Sequence, residues 1–186
     1  ECDWSSDVCS SDLQQVICDM REGAAPYRPR YLLPDYPKAI QQGSKYLELE
    51  APQNLAEALN FLMILYTHTP SITGYPVYLG DLDKLLEPFA DNVSDEDLSR
   101  QLRLFWQMID RVLPDAFVHT NLGPEESRIG RIIFQLERQL NQAVPNITLK
   151  VDPDITPDSF LEEAVKTVFA VAKPHFVNHP MMCADL

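Results

Sequence analysis

The feature that most constrains the fold is an alternation of short apolar runs with amphipathic helices in the last third of the chain. The predicted elements are strands at residues 116–120 and 147–151, helices at 126–141 and 156–172, and a third extended segment that starts at Phe176. One strand follows another at about thirty residues per step, which is typical of a parallel sheet with crossover helices. Nothing in the sequence closes this sheet. We therefore expect residues 114–186 to open a larger α/β fold.

Before this alternation, apolar residues recur with the period of helices, and residues 54–113 are predicted to be a helical region. Three helices are predicted, at residues 54–69, 80–90 and 94–113. Asn54 and Ser94 can cap the first and third of these helices, and each is followed three residues later by an acidic residue. The first helix is predicted to end before Pro70, because proline lacks an N–H and is disfavoured inside a helix.

The first 53 residues divide into two segments of different character. Residues 2–12, when reverse-translated, match a common short-read sequencing adapter. We therefore interpret residues 1–13 as a foreign, disordered segment that, like a tag, takes no part in the fold. Residues 14–53 are rich in Pro and Tyr, which predicts an extended strap with at most a short helix.

Charge and cysteine content exclude several classes of function. The chain carries 15 Lys and Arg against 28 Asp and Glu; without the four acidic residues of the first segment the balance is 15 to 24, a net charge of −9. An acidic chain gains little from counterion release, so nucleic acid is not expected as a partner. The two cysteines outside residues 1–13, Cys18 and Cys183, form no disulfide framework and favour the cytoplasm. No apolar run is long enough to cross a membrane.

Six stretches of the sequence carry a family resemblance. They are VICDM at residues 16–20, APYRPRY at 25–31, LPDY at 33–36, PVYLG at 76–80, LPDAF at 113–117 and DPDITPD at 152–158. In order and spacing they resemble the N-terminal region of the YjjI family, a branch of the glycyl radical enzymes related to pyruvate formate-lyase. The resemblance covers residues 14–186 and says nothing about the substrate.

The resemblance implies a barrel of parallel strands around a radical site, of which this chain is the opening part. In the family, a glycine near the C-terminus stores the radical, and a cysteine on a loop inside the barrel becomes the thiyl that attacks a small substrate. A radical SAM activating enzyme installs the glycyl radical. Both positions lie beyond Leu186, and Cys183 is outside the family's cysteine-loop context. We expect an inactive fragment of an anaerobic, cytoplasmic enzyme, with no bound cofactor and no catalytic residue; a homodimer of the intact enzyme stays open.

Polar residues follow two of the predicted strands. His119 and Asn121 lie at the end of the first strand, and Asn178 and His179 follow the third. Loops at the carboxyl ends of parallel strands build the sites of such folds, so these four residues are candidates for a substrate pocket. In the alternative interpretation, Asn121 and Gly123 only form a turn and the histidines are packing residues.

Three residues that have the spacing of metal ligands are predicted not to bind a metal ion. His175, His179 and Cys183 are spaced by four residues, which would place three ligands on one helical face. However, Pro174 and Pro180 disfavour a helix, and in an extended segment residues four apart lie roughly 13 Å from each other. We therefore expect no metal site here.

Two other interpretations of the whole chain stay open. One is an acidic helical interaction module without catalysis, which would unfold cooperatively by itself, whereas part of a barrel would expose strand edges and aggregate. The other is a small metal-dependent enzyme that uses His119, His175 and His179. It predicts stoichiometric metal in the purified chain.

Overall fold

Four parallel strands form one sheet in which neighbours in sequence are neighbours in space. The computed structural model describes residues 33–73, 77–113 and 118–184. The helices are α1 (Tyr36–Gln42), α2 (Leu55–Thr73), α3 (Leu82–Leu86), α4 (Asp95–Val112), α5 (Arg128–Leu140), α6 (Asp158–Val171) and α7 (His179–Ala184), and the strands are β1 (Tyr78–Asp81), β2 (His119–Leu122), β3 (Asn146–Val151) and β4 (His175–Asn178). A short 3-10 helix, Glu87–Phe89, follows α3. The predicted α/β class with a parallel sheet is confirmed.

The strand order β1-β2-β3-β4 results from the same type of connection, a helical crossover between parallel strands, between each strand and the next. Each strand pairs in parallel with the next, and at least one helix lies between them in the chain. Because such crossovers are right-handed, an order that advances in one direction places the crossover helices on a single face of the sheet. The sheet is therefore wound in one direction and has two unlike faces.

One face of the sheet forms the core with the helices. Leu122, Ile147 and Leu149 are fully buried there, at alternate positions of β2 and β3 as the pleat requires. The helices contribute amphipathic stripes, the clearest being Leu98, Leu102, Phe105, Trp106 and Ile109 of α4. Ser94 caps this helix as predicted, since its hydroxyl accepts a hydrogen bond from the Asp97 N–H. Across the described ranges, no helix is long and apolar enough to cross a membrane.

Several sequence-based boundaries are wrong. β1 was not predicted, and the helix expected at residues 80–90 is instead the end of β1, α3 and the 3-10 helix. Helix α2 continues through Pro70 to Thr73. Buried residues such as Leu62 and Tyr66 fix this helix in the core, and that packing outweighs a local penalty of about 3 kcal/mol for an internal proline.

The predicted turn after β2 begins later than expected, because Asn121 and Leu122 belong to the strand. The first predicted strand partly lies outside the described residues, at positions 116 and 117. The segment 1–13 and most of the predicted strap also lie outside them. The rest of the strap contains α1 and an isolated antiparallel bridge between Ser44 and Leu49.

Candidate functional site

The face of the sheet opposite the core carries a row of polar side chains that crosses all four strands. Asp81 pairs with Asn121, Asn121 with Thr148, and Thr148 with His175. Residues paired in register point to the same side of a sheet. We call Asp81, Asn121, Thr148 and His175 the polar row. The surrounding positions on this face include Lys150 on β3, two residues after Thr148.

A β-bulge brings Asp81 into this row. The register between β1 and β2 shifts between Tyr78 and Asp81, and Gly80 has a φ of 74°. A Cβ atom at Gly80 would lie 3.0 Å from the ring of Tyr36, whose hydroxyl donates a hydrogen bond to the Tyr78 carbonyl. Bulges often redirect a side chain beside a functional site. Here the bulge directs the Asp81 carboxylate to the polar face.

Two ion pairs lie at the carboxyl end of the polar face. The Lys150 ammonium is 2.9 Å from Asp81 Oδ1, and the Lys84 ammonium is 2.8 Å from Glu125 Oε2. Lys150 is only 5% exposed, although it lies on the face away from the core. The hydrogen bond from Lys84 holds the pKa of Glu125 below its usual value, and the charge of Lys150 adds a smaller effect. The two cations are therefore balanced by two carboxylates.

A buried acid fixes the turn that follows β2. The Asp83 carboxylate accepts hydrogen bonds from the Gly123 N–H at 2.9 Å and the Ser127 hydroxyl at 3.0 Å. Burial raises the pKa of Asp83, and these hydrogen bonds partly oppose that rise. Since Gly123 and Ser127 connect β2 to α5, Asp83 sets where the carboxyl end of β2 lies relative to α3.

A cleft of about 970 Å³ opens beside the polar row. Its apolar wall includes Tyr36, Ile40, Pro52, Leu85 and Phe89, and its polar end includes Asp81, Lys84 and Asn121. This size is at the upper end of small-molecule sites, which commonly combine apolar walls with a few polar groups. The cleft therefore gives access to one end of the polar row.

His119 and Asn121, two of the predicted site residues, lie on the polar face. Asn121 belongs to the polar row and borders the cleft. His119 begins β2, so the prediction that it lies at the end of a strand is wrong. Burial lowers the pKa of His119, and the nearby His175 lowers it further. A histidine with a lowered pKa is neutral at physiological pH, so its ring can both donate and accept a hydrogen bond.

Asn178 and His179 lie elsewhere. Asn178 pairs with Val151, which places it on the other side of the sheet from the polar row, and its side-chain oxygen accepts a hydrogen bond from the Met181 N–H. His179 begins α7, a helix that the flanking prolines were expected to prevent. The Cys183 Sγ is consequently 3.7 Å from His179 Nε2. The structure thus brings only His119 and Asn121 to one face.

Within the described ranges, no group of three or more His, Cys, Asp or Glu residues could hold a metal ion. Four members of the polar face were missing from the predicted substrate pocket: Asp81, Thr148, Lys150 and His175, the last of which had been considered only as a metal ligand. The polar side chains at alternate positions of the segment NITLKV, which forms β3, were the available signal for Thr148 and Lys150. No local signal marked Asp81, because only the bulge turns it to this face.

Comparison with known proteins identifies the family. The model of the family described as "Glycyl radical enzyme YjjI-like" matches residues 2–186; the match starts inside the segment interpreted as foreign, whose origin stays a prediction. An Escherichia coli (strain K12) protein named "Uncharacterized protein YjjI" is 48% identical over 166 residues, which is 89% of this chain and 32% of that protein. An uncharacterized Haemophilus influenzae protein is 46% identical over 173 residues, 92% of this chain and 33% of that protein.

No solved structure matches the chain. The chain spans about a third of the length of the two curated relatives. The family match, by contrast, extends over nearly all of its residues, including every strand and helix of the described fold. The chain therefore belongs to the YjjI-like glycyl radical enzyme family.

Proposed function

We propose that the chain is the opening part of a longer glycyl radical enzyme, and that the polar face of its sheet is turned towards the substrate. The family match and the share of each relative that the chain covers support the first half of this proposal. The polar row supports the second half. All-parallel sheets normally have both faces covered, so a face lined by Asn121, Thr148 and His175 fits the inner wall of a barrel that contains a ligand.

No strand of the described residues pairs with the outer edge of β4, which supports a fold that continues. Leu122, Leu149 and Phe176 are aligned across β2, β3 and β4 on the core side. The first two are 0% exposed, whereas Phe176 on the edge strand is 46% exposed, and Phe169 on α6 is 89% exposed. A further strand beside β4 and a helix beside α6 would cover both aromatic rings. A barrel continues its sheet in this way.

In the intact enzyme, a stored glycyl radical supplies a cysteine thiyl that removes a hydrogen atom from the substrate. The residues of this chain have a different task. They bind and orient the substrate and keep water away from it. We further propose that a radical SAM activating enzyme installs the radical, and that the enzyme works anaerobically in the cytoplasm. Neither this activity nor a cofactor is proposed for the 186-residue chain alone.

The proposal is tested on the full-length protein that contains this sequence. The protein is incubated anaerobically with its activating enzyme, S-adenosylmethionine and a reductant, and electron paramagnetic resonance is recorded. We expect the signal of a glycyl radical, and its absence after substitution of the candidate radical glycine by alanine. The 186-residue chain, treated in the same way, is the matched control and should give no signal.

Two results would contradict the assignment. One is a full-length protein that forms no glycyl radical although its activating enzyme cleaves S-adenosylmethionine. The other is a genomic reading frame that continues past Leu186 without a downstream cysteine loop and a C-terminal glycine motif.

A further inference from the structure

We propose that the polar row binds a small, neutral molecule with several hydroxyl groups, and that this molecule is the substrate class of the intact protein. The inference rests on the proposed function, because it requires the polar face to be turned to the substrate. The family match does not identify a ligand, whereas the polar row indicates the chemistry of one. Three members of the row, Asp81, Asn121 and Thr148, carry the argument.

These three side chains present unused hydrogen-bonding groups side by side. Asp81 Oδ1 is bonded to Lys150, and the second carboxylate oxygen has no hydrogen-bond partner among the described residues. The side chains of Asn121 and Thr148 are half-buried and make no hydrogen bond to any part of the chain that the structure describes. A carboxylate oxygen accepts, whereas an amide and a hydroxyl both donate and accept. Hydroxyl groups, which can do either, complement all three.

The spacing of the row limits the length of the ligand. The three residues are in direct register on β1, β2 and β3, and neighbouring strands lie about 4.8 Å apart. The row therefore offers hydrogen bonds at intervals of about 5 Å over a span of about 10 Å. A chain or ring of roughly four to six carbons with hydroxyl groups along it matches this span, whereas a single hydroxyl group would use only one of the three positions.

The charges beside the row favour a neutral ligand over an anion. Among the described residues, Lys150 and Lys84 are the lysines that border the row and its cleft, and each is already paired with a carboxylate, from Asp81 and Glu125. A carboxylate or phosphate ligand would have to break one of these pairs, and would then meet the negative charge that was released. A hydroxyl group that donates to Asp81 requires no such exchange.

The test compares two four-carbon probes, neutral erythritol and the dianion succinate, added to the full-length protein that contains this sequence, labelled with ²H and ¹⁵N. We expect erythritol to shift the backbone amide resonances of Asp81, Asn121 and Thr148, and succinate to leave them in place. Thr148→Val removes one hydroxyl at almost constant shape, and it should weaken erythritol binding at least tenfold. Asn92→Ala, in an exposed turn, is the control and should bind as the unaltered chain does.

The amide spectrum of each variant also reports whether it is folded. Shifts caused by succinate and not by erythritol, shifts caused by neither probe, or unchanged binding by a folded Thr148→Val variant would each overturn the inference. Its failure is distinguishable from failure of the proposed function. If the full-length protein forms the glycyl radical but erythritol does not bind, the assignment of the polar row is wrong and the radical chemistry stands.

Discussion

At the scale of single residues, a buried ion pair between Lys173 and Glu137 links the segment between α6 and β4 to helix α5. Glu137 is fully buried, and its carboxylate accepts hydrogen bonds from the Trp106 indole at 2.6 Å and the Lys173 ammonium at 3.2 Å. Lys173 also donates to the carbonyls of Gln142 and Pro145, at 2.7 and 3.0 Å. Burial raises the pKa of Glu137, and the charge of Lys173 opposes that rise. The Glu137 carboxylate and the Lys173 ammonium therefore stabilise each other's charge in the protein interior.

We expect Lys173→Met to lower the free energy of unfolding by about 3–5 kcal/mol, because it leaves a buried carboxylate without its cation. Urea titration measures the loss at neutral pH. Since Glu137 has a raised pKa when folded, protonation stabilises the folded variant as the pH falls. The deficit should therefore shrink from neutral pH towards 4.5, the ordinary pKa of the group.

Lys166→Met is the matched control. Lys166 is exposed and paired with Glu162 and Glu163 on the surface of α6, and exposed pairs of this kind contribute little to stability. A Lys173→Met deficit no larger than that of the control, or one that does not change with pH, would contradict the described role of the pair.

At the scale of elements, the four-residue strand β1 positions the first polar residue of the row. Its bulge needs a positive φ at Gly80 and a close approach to the Tyr36 ring. We expect Gly80→Ala to destabilise the fold by about 1–2 kcal/mol from the left-handed backbone alone. Thermal unfolding measures this, and the amide resonance of Asp81 reports whether the bulge persists.

The variant Gly80→Asn distinguishes the cost of the positive φ from the cost of the contact with Tyr36. Asparagine tolerates a positive φ better than alanine does, but its side chain is larger. We expect it to be at least as destabilising as alanine, because its larger side chain crowds Tyr36 more and this contact outweighs the smaller cost of the positive φ. Full stability of Gly80→Ala would show that neither the positive φ nor the contact constrains this bulge, and full stability of Gly80→Asn would show that the contact does not.

The elements also show what the sequence can predict. Repeated apolar spacing located α4, α5, α6, β3 and β4, and a capping serine marked the start of α4. β1 was missed because its four residues, YLGD, contain a glycine and end in an acid, so no period of two develops. The polar row was mostly missed because it depends on pairing between strands. Thr148 and Asn121 are neighbours only through the register of β2 and β3, which no local pattern encodes.

At the scale of the whole molecule, exposed large apolar side chains recur on α6, β4 and α7. Val165, Phe169, Phe176, Met181 and Met182 are all exposed within the last part of the described chain. Exposed apolar patches beside a free strand edge promote association. We expect the 186-residue chain to self-associate, and the double variant Phe169→Glu, Phe176→Thr to be mostly monomeric. Sedimentation velocity measures the difference.

Leu104→Glu is the control for this experiment, because Leu104 is 62% exposed on α4, a different element from those that carry the patch. It should leave association unchanged. A monomeric, cooperatively unfolding chain without any substitution would contradict the prediction and favour an independent acidic interaction module.

The order of the strands also has a consequence for how the protein is made. Paired residues of β2, β3 and β4 are only roughly 30 positions apart in the chain. Each new strand can therefore dock as soon as it leaves the ribosome, on a strand that was synthesised just before it, without waiting for distant sequence. During synthesis, the free edge moves along with the growing chain. For β1, β2 and β3, the surface most prone to misassembly is then the newest edge, until the next strand emerges and covers it.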